Sequence, residues 1–387
     1  MSNDSSRLIA FIILSGIILF IYNLLFPVRP KTQQHPATDK TTLTPTDTIK
    51  AITATQSLSL KQQKLTAISE KLYEIENELI KVTFSSIGAV IKSYQLKKYS
   101  DSKDENKKTN LELIPNKTTN TYMALYSKEF PLNEDEWTYL KTEKNNDITK
   151  ISFKYDKIKN TDIIKEFIIK NDSYLINMQF IFINKSNLPI LLKDMQLSWG
   201  PNIHFLPADV NKYKDSFYQY NKIAYPMKNN SIKHHDINLN AKQDKIVFLD
   251  TIPSWIVLKD LYFMTSFIFT NLADIKNIFY KESTGGFTYL TVNLKDIVLE
   301  PKSTQTIRID SYTGPQEYKT LKKLKMENIV DLGWFRFLGV WMFYAMDFLF
   351  KITKNYGWAI ILLTIIVRII LWIPSQQSYK QMKDTQA

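Results

Sequence analysis

A chain of 387 residues with 44% hydrophobic content is long enough for one large domain or two ordinary ones and can bury a substantial core. The absence of cysteine excludes disulfides, thiolate metal sites and a cysteine nucleophile. The formal net charge of +12 comes mostly from lysines scattered among asparagine and isoleucine, and no recognition module accompanies it, so nucleic acid is not expected as a partner.

A polar start at residues 1–7 precedes the apolar run LIAFIILSGIILFIYNLLF at 8–26. With about 19 residues rising about 1.5 Å each, it is long enough to cross a hydrocarbon core of about 30 Å. A signal peptide and a signal anchor share this pattern. The length of the run, Pro27-Val28-Arg29-Pro30 directly behind it and the lack of a nearby small-x-small cleavage site favour a transmembrane anchor. Residues 27–67, rich in Thr, Gln, Ser, Lys and Pro, carry no sustained apolar period and read as a flexible tether.

Residues 68–79 are expected to open with a helical turn, and alternation then begins at Ile80, Val82 and Phe84. The period of two returns at Ile151, Phe153 and Tyr155, at Ile176, Met178, Phe180 and Phe182, at Leu290, Val292 and Leu294, and at Ile307 and Ile309. Short half-buried strands divided by Asn, Asp, Lys and Gly turns, without helix-length segments between most of them, predict an extended antiparallel β-sandwich over 68–327.

After Pro315 the period becomes helical, with Tyr318, Leu321 and Leu324 on one face and Lys319, Lys322 and Lys323 off it. In the segment WFRFLGVWMFYAMDFLFKITKN, the charged residues Arg336, Asp347, Lys351 and Lys354 fall within a sector about 60° wide and nearly everything else is apolar. A second spanning helix is one reading. Four charges on one stripe, with Asp347 and Lys351 at i and i+4, favour an interfacial amphipathic helix within 328–355, anchored by Trp334, Trp341 and Tyr344.

Asn355-Tyr356-Gly357 breaks that helix, and GWAIILLTIIVRIILWIP follows. It reads as a second transmembrane helix over 356–374, with a polar tail at 375–387. Two spans with a large domain between them put both termini on one side of the membrane. Arg368 lies inside the apolar run, one helical turn from Thr364, where a charge costs about 2.5 to 3.5 kcal/mol. The residues alone leave two readings open: snorkelling toward headgroups, and one wall of a polar groove.

No catalytic constellation is present in the sequence. His35 lies in the tether, His204 is alone and reads as structural, and His234 and His235 would point to opposite faces of an extended segment. No zinc spacing, nucleophile elbow or phosphate loop occurs, and Gly285-Gly286 reads as a turn before a strand.

Three segments in chain order resemble the bacterial YidC membrane insertases of the YidC/Oxa/Alb family. They are IENELIKVTFSSIGAVIKSYQLKKY at 75–99, SWIVLKDLYFMTSFI at 254–268 with Trp255, Tyr262 and Phe263, and YTGPQEY at 312–318 followed by the two helical segments. Gly357, Thr364 and Arg368 match positions that recur in that family's second transmembrane helix. The proline after the arginine follows by six residues here and by five in the family, which shifts the helix exit by one position.

The resemblance implies a membrane protein of the bacterial inner membrane with a cytoplasmic amino terminus. A mainly-β periplasmic super-sandwich would lie between two transmembrane α-helices, with an interfacial amphipathic helix. It implies an insertase and chaperone for integral membrane proteins, acting alone or with the Sec translocon. Its partners would be nascent membrane proteins, Sec components, the ribosome and the lipid bilayer, and no cofactor would be needed. Arg368 and Thr364 would line a substrate groove.

The family continues into a cytoplasmic hairpin and further spanning helices, so the expectation is a chain carrying the first part of the core, truncated after its second span. The alternative is a membrane-anchored periplasmic binding or scaffold module without insertase activity of its own. A sugar-converting enzyme, suggested by the family's mutarotase-like sandwich, lacks paired His and Glu candidates.

Overall fold

The computed structural model describes residues 69–100, 109–204, 222–229, 231–237, 241–284, 286–330, 332 and 335–386, apart from the side chains of 373–375 and 377–386. The expected anchor at 8–26 and tether at 27–67 lie outside these residues.

The first strands are β1 (Leu72–Glu76), β2 (Ile80–Ser85), β3 (Ile91–Ser100), β4 (Asn110–Glu112), β5 (Ala124–Tyr126), β6 (Thr138–Lys144) and β7 (Ile148–Ile158). There follow β8 (Thr161–Lys170), β9 (Leu175–Asn184), β10 (Ile190–Leu192), β11 (Gln196–Trp199), β12 (Lys222–Pro226), β13 (Ile232–Asp236) and β14 (Lys245–Phe248). The last are β15 (Trp255–Lys259), β16 (Phe263–Phe269), β17 (Ile275–Ser283), β18 (Phe287–Leu294), β19 (Ile297–Leu299) and β20 (Thr304–Pro315). Helices α1 (Tyr318–Lys323), α2 (Arg336–Thr353) and α3 (Tyr356–Gln386) come after them, with a 3-10 turn at Glu327–Ile329 between the first two.

Among the described residues every ladder is antiparallel. A nine-stranded sheet runs β13-β12-β15-β16-β20-β9-β8-β7-β6, a five-stranded sheet β14-β17-β18-β11-β5, and a four-stranded sheet β1-β2-β3-β4. Strands β10 and β19 pair separately.

The alternation read in the sequence is the inward face of these sheets. In β9 the residues Ile176, Met178, Phe180 and Phe182 are fully buried while their neighbours are half-exposed, because successive side chains on a strand point to opposite faces. Phe84 of β2 meets Phe153 of β7 and Phe167 of β8 at ring-centroid distances of 6.3 and 4.6 Å, so the four-stranded sheet packs over that end of the nine-stranded one. At its far edge His235 of β13 meets Tyr280 of β17 at 5.0 Å, where the five-stranded sheet covers it. Each large apolar side chain buried between the layers contributes on the order of 2 kcal/mol.

One local expectation is corrected. Residues 72–76 form β1 rather than a helical turn: Ile75 pairs with Val82 and Tyr73 with Phe84, and the Tyr73 ring stacks on Tyr139 at 4.3 Å. Cross-strand packing overrides a weak local preference. Past Pro374 the last helix runs on to Gln386. A proline removes one hydrogen bond of the helical ladder, and the Gln, Lys and Met residues beyond it favour helix enough to continue.

Candidate functional site

The sandwich hands its chain to the helices through the segment YTGPQEY at the end of β20, and each side chain there has a mechanical role. The Tyr312 hydroxyl donates to the Pro315 carbonyl at 2.6 Å, and the hydroxyls of Thr313 and Thr265 bond across to β16 at 2.8 Å. Gly314 has no Cβ because the Tyr174 ring lies where it would be, about 3.0 Å from that position. Gln316 donates to the Asp260 carbonyl at 2.9 Å and accepts from the buried Lys259 ammonium at 3.1 Å. Glu317 accepts from the Tyr99 hydroxyl at 3.1 Å, and the Tyr318 ring meets Phe343 and Tyr344 of α2.

The turn joining β15 to β16 is held by the buried Asp260. One carboxylate oxygen accepts from the backbone N–H groups of Tyr262 and Phe263 at 2.7 and 2.6 Å, and the other lies 3.0 Å from His204 Nδ1. His204 therefore braces a hairpin. Of the adjacent histidines, His235 faces Tyr280 and His234 is exposed. Gly286, with φ of 81°, turns the chain between β17 and β18. Among the described residues no group of three or more His, Cys, Asp or Glu is arranged to hold a metal ion.

The charged stripe of α2 does not simply face water. Asp347 takes Lys319 of α1 at 2.5 Å and Lys351 at 3.4 Å, and the hydrogen bond from Lys319 holds its carboxyl below the usual carboxylate range. Arg336 turns back onto the carbonyls of Glu327, Asn328 and Val330. Lys351 is exposed, and Lys354 takes the left-handed conformation that ends the helix, its N–H donating to the Phe350 carbonyl at 2.7 Å. Beside the stripe, Phe337, Trp341, Tyr344, Phe348 and Ile352 form an exposed apolar ridge.

Asn355 starts α3 by accepting from the N–H of Gly357 at 2.8 Å. The helix packs on α2 through Ala359, Leu362, Leu363 and Val367, which meet Ala345, Met346, Leu349 and Phe350, and Tyr356 stacks on Phe350 at 4.0 Å. At about 100° of rotation per residue, Arg368 points about 160° away from this packed side and Thr364 about 120° away. Both are exposed. Thr364 donates to its own helix at the Ile360 carbonyl, 2.8 Å away, and among the described residues Arg368 makes no hydrogen bond or ion pair.

Thr364 and Arg368 thus share one face, and α2 is on the other side of the helix from it. Among the described residues no helix is long and apolar enough to cross a membrane, side chains being described continuously along α3 only over 356–372. Between the sandwich exit and the helices lies a cavity of about 530 Å³, floored by Tyr318, Val330, Leu332, Phe343 and Met346 and rimmed by Glu317, Lys319 and Asp347.

Of the contacts made by Asp347 and Arg336, only the one with Lys351 was foreshadowed by the sequence, through its i and i+4 spacing. Periodicity showed that Lys319 stood off the apolar face of α1. It carried no sign of which residue of α2 the lysine would reach.

The described residues define a mainly-β sandwich domain whose last strand leads into helices α1, α2 and α3. The model of the YidC periplasmic domain matches residues 72–345, and the chain belongs to the YidC family. A Legionella pneumophila (strain Paris) relative named membrane protein insertase YidC is 24% identical over 405 residues, covering 98% of this chain and 70% of its own. A relative of the same name from Endomicrobium trichonymphae is 29% identical over 236 residues, covering 60% of this chain and 42% of its own. Among solved structures, a galactose mutarotase related enzyme from Lactobacillus acidophilus is similar over 63% of this chain and 97% of that one, at 12% identity and a TM-score of 0.42. That likeness is too loose to bear on activity.

Proposed function

We propose that this chain carries the periplasmic domain and the first part of the membrane core of an insertase that helps integral membrane proteins insert and fold, alone or beside the Sec translocon. In this reading α3 crosses the bacterial inner membrane over 356–374, α2 lies in the interface with its apolar ridge in the lipid, and the sandwich is in the periplasm. Nascent membrane proteins are the substrates, ribosome and Sec components are partners, and no cofactor takes part.

The observation that carries this reading is the exposed Thr364–Arg368 face, turned away from α2 on an otherwise apolar helix. In a bilayer such a cation is costly unless a polar partner or water meets it, which favours a groove that receives the polar or acidic part of a substrate while its apolar part enters lipid. Because α2 is on the far side of α3, the other walls of that groove come from helices beyond α2.

The test uses ribosome-arrested chains of a small membrane protein with an acidic leading segment, crosslinked to this protein in native membranes. Arg368→Ala is expected to reduce crosslinks from α3 about tenfold, the scale of one charge-assisted hydrogen bond, while Arg368→Lys keeps most of them. Unchanged crosslinks confined to the sandwich would instead support a scaffold module.

A further inference from the structure

Four successive backbone carbonyls between the sandwich and α2 are held by two cations from opposite sides. Arg336, at the start of α2, donates through Nη2 to the Glu327 carbonyl at 2.7 Å and through Nη1 to those of Asn328 and Val330 at 3.3 Å each. Lys259, at the end of β15, donates to the remaining carbonyl, that of Ile329, at 2.9 Å. Lys259 is only 6% exposed, and its second acceptor is Gln316 of the exit segment.

The turn itself is pinned beneath: Ile329 and Met326 are fully buried in the sandwich core, and Gly339 of α2 lets Leu332 lie against the helix, where a Cβ would meet it at 3.3 Å. A planar guanidinium can reach several carbonyls at once in a fixed fork, whereas an ammonium is a compact point charge.

We infer that Lys259 and Arg336 are positioning residues, a two-sided clamp on the 327–330 turn that fixes α2 relative to the sandwich. A force or partner acting on the sandwich is then transmitted to the membrane-facing helices rather than lost at the junction. Arg336 belongs to the clamp and not to the wet edge of the stripe. The consequence for insertion rests on the interfacial reading of α2 given above, but the clamp does not.

The natural lack of cysteine allows spin labels to be placed at Leu188→Cys and Ile352→Cys in the full chain, reconstituted in nanodiscs. Both positions are exposed. Leu188 follows β9 at the end of the sandwich opposite the exit, since Ile183 pairs with Thr304 and Leu175 with Tyr312. The distance distribution between the labels is expected to be a single narrow peak. Arg336→Gln should replace it with a broad one, leaving the thermal unfolding of the sandwich unchanged.

Arg336→Lys is the deciding variant. It preserves the charge of the stripe but not the fork, so the clamp requires it to broaden the distribution nearly as much as Arg336→Gln. A narrow peak retained in Arg336→Lys would overturn the clamp and return Arg336 to the stripe. Lys259→Met, which keeps the buried stem, should broaden the distribution as well, and a narrow peak there would also count against the clamp. Quenching of Trp341 by brominated lipid in the same samples reports the interfacial reading separately.

Discussion

Lys165 stands in the middle of β8 with its side chain turned into the core, fully buried, over the rings of Phe167 and Phe180 and donating to the Met123 carbonyl. Among the described residues no carboxylate pairs with it, and burial pushes its ammonium down to about 7. The unfolded chain holds this proton to about pH 10.4, so between about pH 7 and that value the unfolded state binds more protons and stability rises with pH. Below pH 7 the desolvation cost is felt in full. Lys165→Met should stabilise the sandwich near pH 7 by on the order of a few kcal/mol, less about 1 kcal/mol for the Met123 carbonyl left without its donor. Denaturant melts at pH 7 and 10 check this: the variant should show a smaller rise between them, and an unchanged rise would mean that Lys165 is not its source.

At the scale of elements, α2 is tied to the sandwich side by Lys319 and Asp347 and to α3 by an apolar seam. Asp347→Asn removes the negative charge that Lys319 and Lys351 share, and hydrogen exchange in the second half of α2 should quicken while the strands keep their protection. Because the Asp347 carboxyl is held below its ordinary range, the tie is present above that range and is lost only as pH falls through the lowered value. Asn355→Ala, which deletes the side-chain cap of α3, should cost about 1 kcal/mol and fray its first turn, visible as faster exchange at Gly357 and Trp358.

Much of the sandwich was legible in the sequence because alternation in β2, β7, β9, β18 and β20 is a local signal. The order of strands was not, since β20 lies between β9 and β16, distant neighbours that no period announces. Arg336 and Lys259 were similarly opaque: their acceptors are backbone carbonyls, which every residue has. Arg368 and Thr364 were legible as a shared face, whereas the position of α2 behind them depended on side-chain packing along Ala359, Leu363 and Val367.

At the scale of the described residues as a whole, the chain leaves the sandwich through β20 and a turn held by Arg336 and Lys259, then enters a helix with an exposed apolar ridge and a last helix on which Thr364 and Arg368 are exposed. If α2 lies in the interface, its ridge should sit at shallow depth. Trp341 in vesicles should then be quenched more by lipid brominated near the headgroup than near the chain end, and the reverse order would indicate a spanning helix. The central claim is that substrate meets α3 on the face of Thr364 and Arg368. The most direct measurement places a photoreactive amino acid in turn at Ile361, Thr364, Leu363 and Val367 of the full chain, in membranes carrying arrested nascent membrane proteins. Crosslinks are predicted from Ile361 and Thr364 and not from Leu363 and Val367, which face α2; equal crosslinks from both faces, or none from either, would contradict the account.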